Sequence, residues 1–126
     1  MSGAAVVIYL WAPDDETAER TFDELAARCE AYAFRFCWNV VETIRDIGGV
    51  NEYFDRSLKV HAFKRTGLDQ VFALLRQKQA VIVLTPDPRM VGGTSLVFNA
   101  VCERVEKYGF VQVIAEEAAT PGGSHA

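Results

Sequence analysis

The chain has 126 residues, of which 50% are apolar and 24% charged, and its formal net charge is −4. This composition is typical of a single globular domain with a sizeable core. Proteins that bind DNA through their overall field are usually basic, so the acidic balance disfavours autonomous DNA binding, although it leaves room for a local basic patch.

The amino-terminal apolar run has no basic segment before it and is too short for a secretory signal or a membrane span. We therefore expect a cytoplasmic protein with no membrane partner. The three cysteines, Cys29, Cys37 and Cys102, match no common metal-ligand spacing, and His61 has no ligand partner either. We predict no metal and no cofactor, and we expect Cys29 to be a small buried side chain.

The first part of the chain predicts a strand, a helix and a second strand. Residues 5–11 form a continuous apolar run, which indicates a strand buried on both faces, and Pro13 ends it. A helix over about 15–36 follows, with Asp14 or Asp15 as its cap and apolar side chains every three or four positions. Residues 38–44 predict the second strand.

The remainder continues this alternation after a long irregular segment. Residues 46–66 have no clear period, so we predict a loop with a short extended piece at 58–62. An amphipathic helix over 68–75 and a strand over 80–84 follow, and Pro86 and Pro88 halt that strand. A third helix begins after Gly92-Gly93-Thr94 and carries Tyr108 on its apolar face with Val97, Val101 and Val105. Gly109 is expected to end it before a fourth strand over 110–115.

Strands that alternate with helices predict an α/β fold. We expect a flavodoxin-like three-layer αβα domain with a mainly parallel sheet, whose sites lie outside the carboxyl ends of the strands. The domain is assigned to residues 1–117, and residues 118–126 are expected to form a flexible tail.

Several segments, in a common order and spacing over about residues 5–117, resemble the catalytic domain of the serine recombinases, the resolvase/invertase family. Tyr9-Leu10-Trp11-Ala12-Pro13 stands where that family has Tyr-x-Arg-Val-Ser. Arg65-Thr66-Gly67-Leu68 stands where it has Arg-Pro-x-Leu, and Asp46-Ile47-Gly48 is similar to its Asp-x-Gly turn. Val81 to Asp87 stands where it has Val-Val-Val-x-x-x-Asp. The resemblance implies a resolvase-catalytic-domain-like fold.

The departures from the family pattern lie at the positions of its catalytic residues. The family serine attacks a DNA phosphodiester, and Pro13 has no hydroxyl. Trp11 replaces the first-strand arginine, only Arg65 matches a family arginine, and Arg89 is one place out of register. Each lost preorganised donor costs about 10²–10³ in rate. The resemblance therefore implies a degenerate site without catalytic residues and no enzyme activity. The positions of this site are Tyr9, Trp11, Pro13, Arg65, Asp87, Pro88 and Val91.

Our leading hypothesis is a catalytically inactive domain that acts as a protein-interaction or regulatory module. It would work as a homodimer or with another protein, including an active recombinase.

One alternative is a DNA-binding accessory factor of a recombination, plasmid or phage system. Its candidate binding residues are Arg56, Lys59, His61, Lys64, Arg65 and Arg89. The competing interpretation of that basic stretch is a solvated loop that packs its aromatic side chains inward. A second alternative is a small-ligand-binding α/β domain with Trp11, Asp87 and Arg65 around one pocket.

Local roles follow for individual residues. Trp11 is expected to fill the emptied pocket, with anchoring of a partner as the alternative. Arg65 is expected to pair with a local carboxylate rather than a phosphate, and Asp87 to fix a turn. The segment Gly92-Gly93-Thr94-Ser95 predicts a turn with Thr94 or Ser95 as a helix cap, and phosphate binding is the less favoured interpretation.

Overall fold

The computed structural model describes residues 3–48, 52–56, 58–63 and 65–114, with only the backbone described at Glu52, Tyr53 and Phe63. Lys64 and the tail expected over residues 118–126 lie outside the described residues. The elements, in chain order, are β1 (Ala5–Ala12), α1 (Asp15–Arg35), β2 (Asn39–Ile47), β3 (Glu52–Asp55), β4 (Val60–Phe63), α2 (Thr66–Arg76), β5 (Ile82–Thr85), α3 (Pro88–Gly92), α4 (Ser95–Val105) and β6 (Phe110–Val113).

The main sheet has four parallel strands in the order β2-β1-β5-β6. The predicted α/β fold with a mainly parallel sheet is confirmed. The buried strand predicted at the amino terminus is β1, whose residues 6–10 are all fully buried. Its central place explains its continuous apolar sequence, because both of its faces are covered.

Helices cover both faces of the sheet. On one face, Phe22 and Cys29 of α1 pack into a cluster with Ile8. On the other, side chains of α2 and α4 such as Val71 and Val101 pack around alternate β1 residues. Cys29 is fully buried, as expected, and burial raises the pKa of its thiol to about 12.

Helix ends follow the expected chemistry at α1. The Asp14 carboxylate accepts a hydrogen bond of 2.7 Å from the Thr17 N–H, so Asp14 is the predicted cap. At the other end, Cys37 adopts a left-handed conformation with φ 60, and the Trp38 N–H donates to the Ala33 carbonyl at 2.9 Å. This is a Schellman arrangement, in which glycine is the usual residue at the left-handed position.

The loop predicted over 46–66 is wrong. Strand β2 continues to Ile47, and β3 and β4 form an antiparallel hairpin in which Tyr53 pairs with Ala62. Ala62 is buried, whereas its neighbour His61 is exposed, so the hairpin buries one face only. The two strands of the hairpin are short and have no continuous apolar run such as that of β5, and no two-residue glycine turn stands between them in the sequence. The extended piece expected at 58–62 overlaps β4.

Two further boundaries differ from the sequence prediction. Pro88 does more than halt β5, because it begins the short helix α3, where its missing N–H is harmless. Helix α4 ends at Val105, so Tyr108 lies in the following turn and is 40% exposed rather than on the buried face. Gly109 has a packing role, since a Cβ there would lie 1.7 Å from the Val81 carbonyl oxygen.

Among the described residues, no helix has both the length and the apolar character that crossing a bilayer requires.

Candidate functional site

The carboxyl edge of the sheet contains the candidate site. The chain leaves β1 to form β2 on one side and later returns to form β5 on the other. Such a change of direction opens a crevice at the strand ends in parallel sheets. Trp11 and Asp46 are register partners at the ends of β1 and β2, and Thr85 ends β5.

Trp11 closes over Arg65 in this crevice. The Arg65 guanidinium carbon lies 4.0 Å from the centre of the Trp11 ring, which is a cation–π contact. The Trp11 indole N–H donates a 2.6 Å hydrogen bond to the Gly48 carbonyl beyond the end of β2. The edge of the ring is therefore held by the residue that follows β2, and one face of the ring is covered by Arg65, the residue that precedes α2.

Arg65 is buried, with 7% of its surface exposed. Its Nη1 donates to the carbonyls of Arg89 at 2.9 Å and Met90 at 2.5 Å, both in α3. Burial lowers the pKa of the guanidinium, and the nearby Tyr9 and Asp46 oppose that effect. The side chain thus joins α3 to the carboxyl edge of the sheet.

Tyr9 and Asp46 form a buried pair next to Trp11 and Arg65 at the same edge of the sheet. The Tyr9 hydroxyl donates to Asp46 Oδ2 at 2.7 Å, and the Gly67 N–H donates to the same oxygen at 2.8 Å. Burial, followed by the Asp46 charge, raises the pKa of Tyr9. Glycine is needed at position 67 because a Cβ there would lie 2.8 Å from that carboxylate oxygen.

Asp46 is the site residue that the sequence reasoning missed. The sequence pattern places it in a turn, whereas in the structure it is 6% exposed and connects β2, β1 and the start of α2. The available signal was an acidic residue near the end of β2, directly before the Ile47-Gly48 turn.

The remaining positions of the degenerate site are dispersed. Pro13 is exposed in the bend between β1 and α1, and Val91 is buried in the core. Asp87 caps α3 by accepting from the Arg89 N–H at 2.8 Å, and Pro88 is the first residue of that helix. The Arg89 guanidinium also binds the Asp87 carboxylate, at 2.7 and 3.1 Å, which holds the pKa of Asp87 below its ordinary value.

The basic stretch of the hairpin lies apart from the buried Arg65. Arg56, Lys59 and His61 are exposed. Phe54 is 53% exposed, and its ring meets His61 edge-on at a centroid distance of 5.3 Å. The expected inward packing is therefore wrong for Phe54, because strand alternation places it on the outer face with His61 while Ala62 faces the core.

The glycine-rich segment after α3 is the predicted turn and cap. Thr94 Oγ1 accepts a hydrogen bond from the Val97 N–H at 3.3 Å and caps α4. Gly93 takes a positive φ of 80 at the end of α3. Gly92 lets the two helices approach closely, since a Cβ there would lie 2.4 Å from the Phe98 nitrogen.

A small cavity of about 80 Å³ lies between the hairpin, α2, α3 and α4. Arg65 and Arg104 line it together with Asp55 and Asp69. Trp11 and Asp87, which the small-ligand hypothesis places around one pocket with Arg65, do not line this cavity.

Solved structures that share this architecture include two catalytic domains, of a serine recombinase and an integrase, and a resolvase family recombinase. The C-terminal catalytic domain of ISC1926 TnpA, an IS607-like serine recombinase, has a TM-score of 0.70 at 20% identity over 87% of this chain and 70% of that one. The N-terminal catalytic domain of TP901-1 integrase has a TM-score of 0.69 at 18% identity, over 89% and 78% of the two chains. A resolvase family site-specific recombinase from Streptococcus pneumoniae has a TM-score of 0.69 at 13% identity, over 92% and 74%.

The chain has the serine recombinase catalytic-domain fold. No protein-family model matches the sequence, and no curated protein matches it. On this serine recombinase fold, Trp11 and Arg65 are in contact, whereas Pro13 and the Arg89 side chain are exposed.

Proposed function

We propose that this chain is a catalytically inactive serine-recombinase-like domain that acts in DNA recombination through protein binding, as a homodimer or with another protein. The contact between Trp11 and Arg65 carries this proposal. Arg65 matches the one family arginine that remains, and here an indole covers it while its Nη1 binds two main-chain carbonyls. A scissile phosphate would have to displace both.

The chemistry of strand cleavage supports the same conclusion. Phosphoryl transfer needs a nucleophile about 3 Å from phosphorus and cations around the phosphoryl oxygens. Pro13 offers no hydroxyl, Val91 is buried in the core, and Arg89 is engaged by Asp87. Each missing preorganised donor is worth about 3–4 kcal/mol of transition-state stabilisation.

A surface suited to protein binding lies at the opposite, amino edge of the sheet. We define the aromatic patch as Phe36, Trp38 and Phe110. Phe36 and Trp38 stack at a centroid distance of 5.2 Å, and Trp38 meets Phe110 at 6.5 Å. Phe36 and Phe110 are each 45% exposed. Clustered exposed aromatic side chains are typical of protein interfaces, where they supply much of the binding energy.

The first experiment tests for catalysis. The domain is incubated with supercoiled DNA, and a covalent protein–DNA adduct is sought under denaturing conditions. We expect no adduct, and none with Pro13→Ser, because the other arginines of the family pattern are still missing. An adduct formed by Pro13→Ser alone would contradict the proposal.

The second experiment tests protein binding. Sedimentation velocity over a wide concentration range is expected to show a homodimer. The double variant Phe36→Asp/Phe110→Asp should dissociate it, because it places charges within the aromatic patch. Leu96→Asp is the matched control, since Leu96 is 63% exposed on α4 and outside the patch. A chain that stays monomeric at every concentration and captures no protein from its host would exclude the proposal.

A further inference from the structure

An open groove of about 660 Å³ lies between the hairpin turn and α4. Lys59 lines it from the turn, and Arg104 and Lys107 line it from α4 and the turn that follows. Among the described lining residues, Glu103 carries the one carboxylate. The groove therefore has an excess of positive charge on a chain whose net charge is −4.

Two of these basic residues are held by neighbouring groups: Lys59 through its backbone and Arg104 through its guanidinium. The Lys59 N–H donates to the Asp55 carbonyl at 2.7 Å, and the Asp55 carboxylate accepts from the Leu58 N–H at 3.0 Å. The Arg104 guanidinium carbon lies 4.1 Å from the centre of the Phe72 ring. A guanidinium that is already held in place, as that of Arg104 is, loses less conformational entropy when it binds an anion.

The backbone at Lys59 adds an independent observation. Lys59 has a φ of 63, in the left-handed region where glycine is favoured. A residue with a side chain is sterically disfavoured in this conformation. At this position the residue is a lysine that lines the groove.

An aromatic ring completes the lining. Tyr108 lies next to Lys107 and is 40% exposed. Grooves that combine cations with exposed aromatic rings bind single-stranded nucleic acids, because the cations meet phosphates while bases stack on the rings. An acidic peptide would pair its carboxylates with the cations, but it has no bases to stack on the ring.

We propose that this groove binds single-stranded nucleic acid, with Lys59, Arg104 and Lys107 facing the phosphates and Tyr108 stacking on a base. This site is separate from the covered Arg65, and it does not depend on the proposed protein-binding function.

Fluorescence anisotropy of a labelled oligothymidylate titrated with the full chain tests the proposal. Binding is expected at low salt, and log Kobs should fall with log salt with a slope of about −2, as expected for three phosphate contacts on a single strand. Tyr108→Ala should weaken binding about fivefold or more, since stacking is worth about 1–3 kcal/mol per base, whereas Tyr108→Phe should retain it.

Three further variants separate binding from folding. Lys59→Gly removes the charge and suits the left-handed backbone, so it should fold at least as well as the parent and bind more weakly. The matched charge control is Arg20→Glu/Arg28→Glu on the exposed side of α1, compared with Lys59→Glu/Lys107→Glu in the groove. The groove pair should lose tenfold or more in affinity, and the control pair should lose little.

Four results would overturn the proposal. They are no binding at low salt, equal losses from the groove and control pairs, equal affinity for a poly-glutamate of the same charge, and equal affinity for duplex DNA. The third would indicate an acidic protein partner, and the fourth would show that base stacking contributes nothing.

Discussion

The Arg65 guanidinium lies 4.0 Å above the Trp11 ring and joins three parts of the fold. Trp11 ends β1 and hydrogen-bonds to Gly48 after β2, while Arg65 precedes α2 and binds carbonyls of α3. A side chain with these partners stabilises the carboxyl edge of the sheet. Under the proposed function, a phosphate would have to compete with these partners for the Arg65 side chain. A large contribution of the partners to stability would therefore support the proposal.

Removal of the Trp11 ring should destabilise the domain. We expect Trp11→Ala to lower the free energy of unfolding by about 2–4 kcal/mol, because the ring contacts, the cation–π contact and the indole hydrogen bond are all lost. Trp11→Phe keeps a ring over Arg65 and should cost about 1 kcal/mol. Urea denaturation followed by circular dichroism measures both. Equal costs for the two variants would show that the contact with Arg65 contributes little.

The buried pair of Tyr9 and Asp46 should show energetic coupling. Tyr9→Phe leaves the carboxylate without one of its donors and should cost about 1–3 kcal/mol. Asp46→Asn should also destabilise, and the double variant should cost less than the sum of the two, with a coupling of about 1 kcal/mol or more. A double-mutant cycle in urea gives this coupling directly. Strict additivity would mean that the 2.7 Å hydrogen bond is not a stabilising interaction.

Glycine at the carboxyl ends of two helices should increase the stability of the domain. Cys37 after α1 and Lys78 after α2 both adopt left-handed conformations, with φ of 60 and 61. We expect Cys37→Gly and Lys78→Gly each to stabilise the domain by about 0.5–1 kcal/mol, because glycine adopts this conformation without steric cost. Thermal unfolding compares them with Ala27→Gly, an exposed position within α1, which should destabilise by about 1 kcal/mol. A fall in stability for both cap variants would contradict the backbone argument.

The Asp87 carboxyl should contribute to acid sensitivity. Hydrogen bonds from Arg89 lower its pKa below the ordinary value of 3.8. A lowered pKa in the folded state means that the stabilisation is present above about pH 4 and is lost as the pH falls through the folded-state value. Asp87→Asn keeps a helix-capping side chain but removes the charge. Its free energy of unfolding should therefore fall less between neutral pH and acid than that of the parent. Parallel pH profiles for the two chains would exclude this contribution.

Local sequence patterns were sufficient for the main elements. The apolar run of β1, the periodic face of α1 and the Asp14 cap are encoded within a few residues each, and all are found in the structure. The same holds for the alternation of strands and helices that predicts a parallel sheet. Strand β3 and helix α3 were not detected, and β4 was found only in part, because these segments are too brief and too mixed in polarity to show a period. Their positions depend on packing within the core.

The sequence alone therefore determined the fold class, since apolar periodicity and helix caps are properties of neighbouring residues. It also placed Pro13 where the resembling family has serine. The tertiary structure alone decided that Trp11 covers Arg65, that Tyr9 donates to Asp46 and that Lys59, Lys107 and Tyr108 line one groove. These contacts join residues far apart in the chain, and only the strand order and register bring them together.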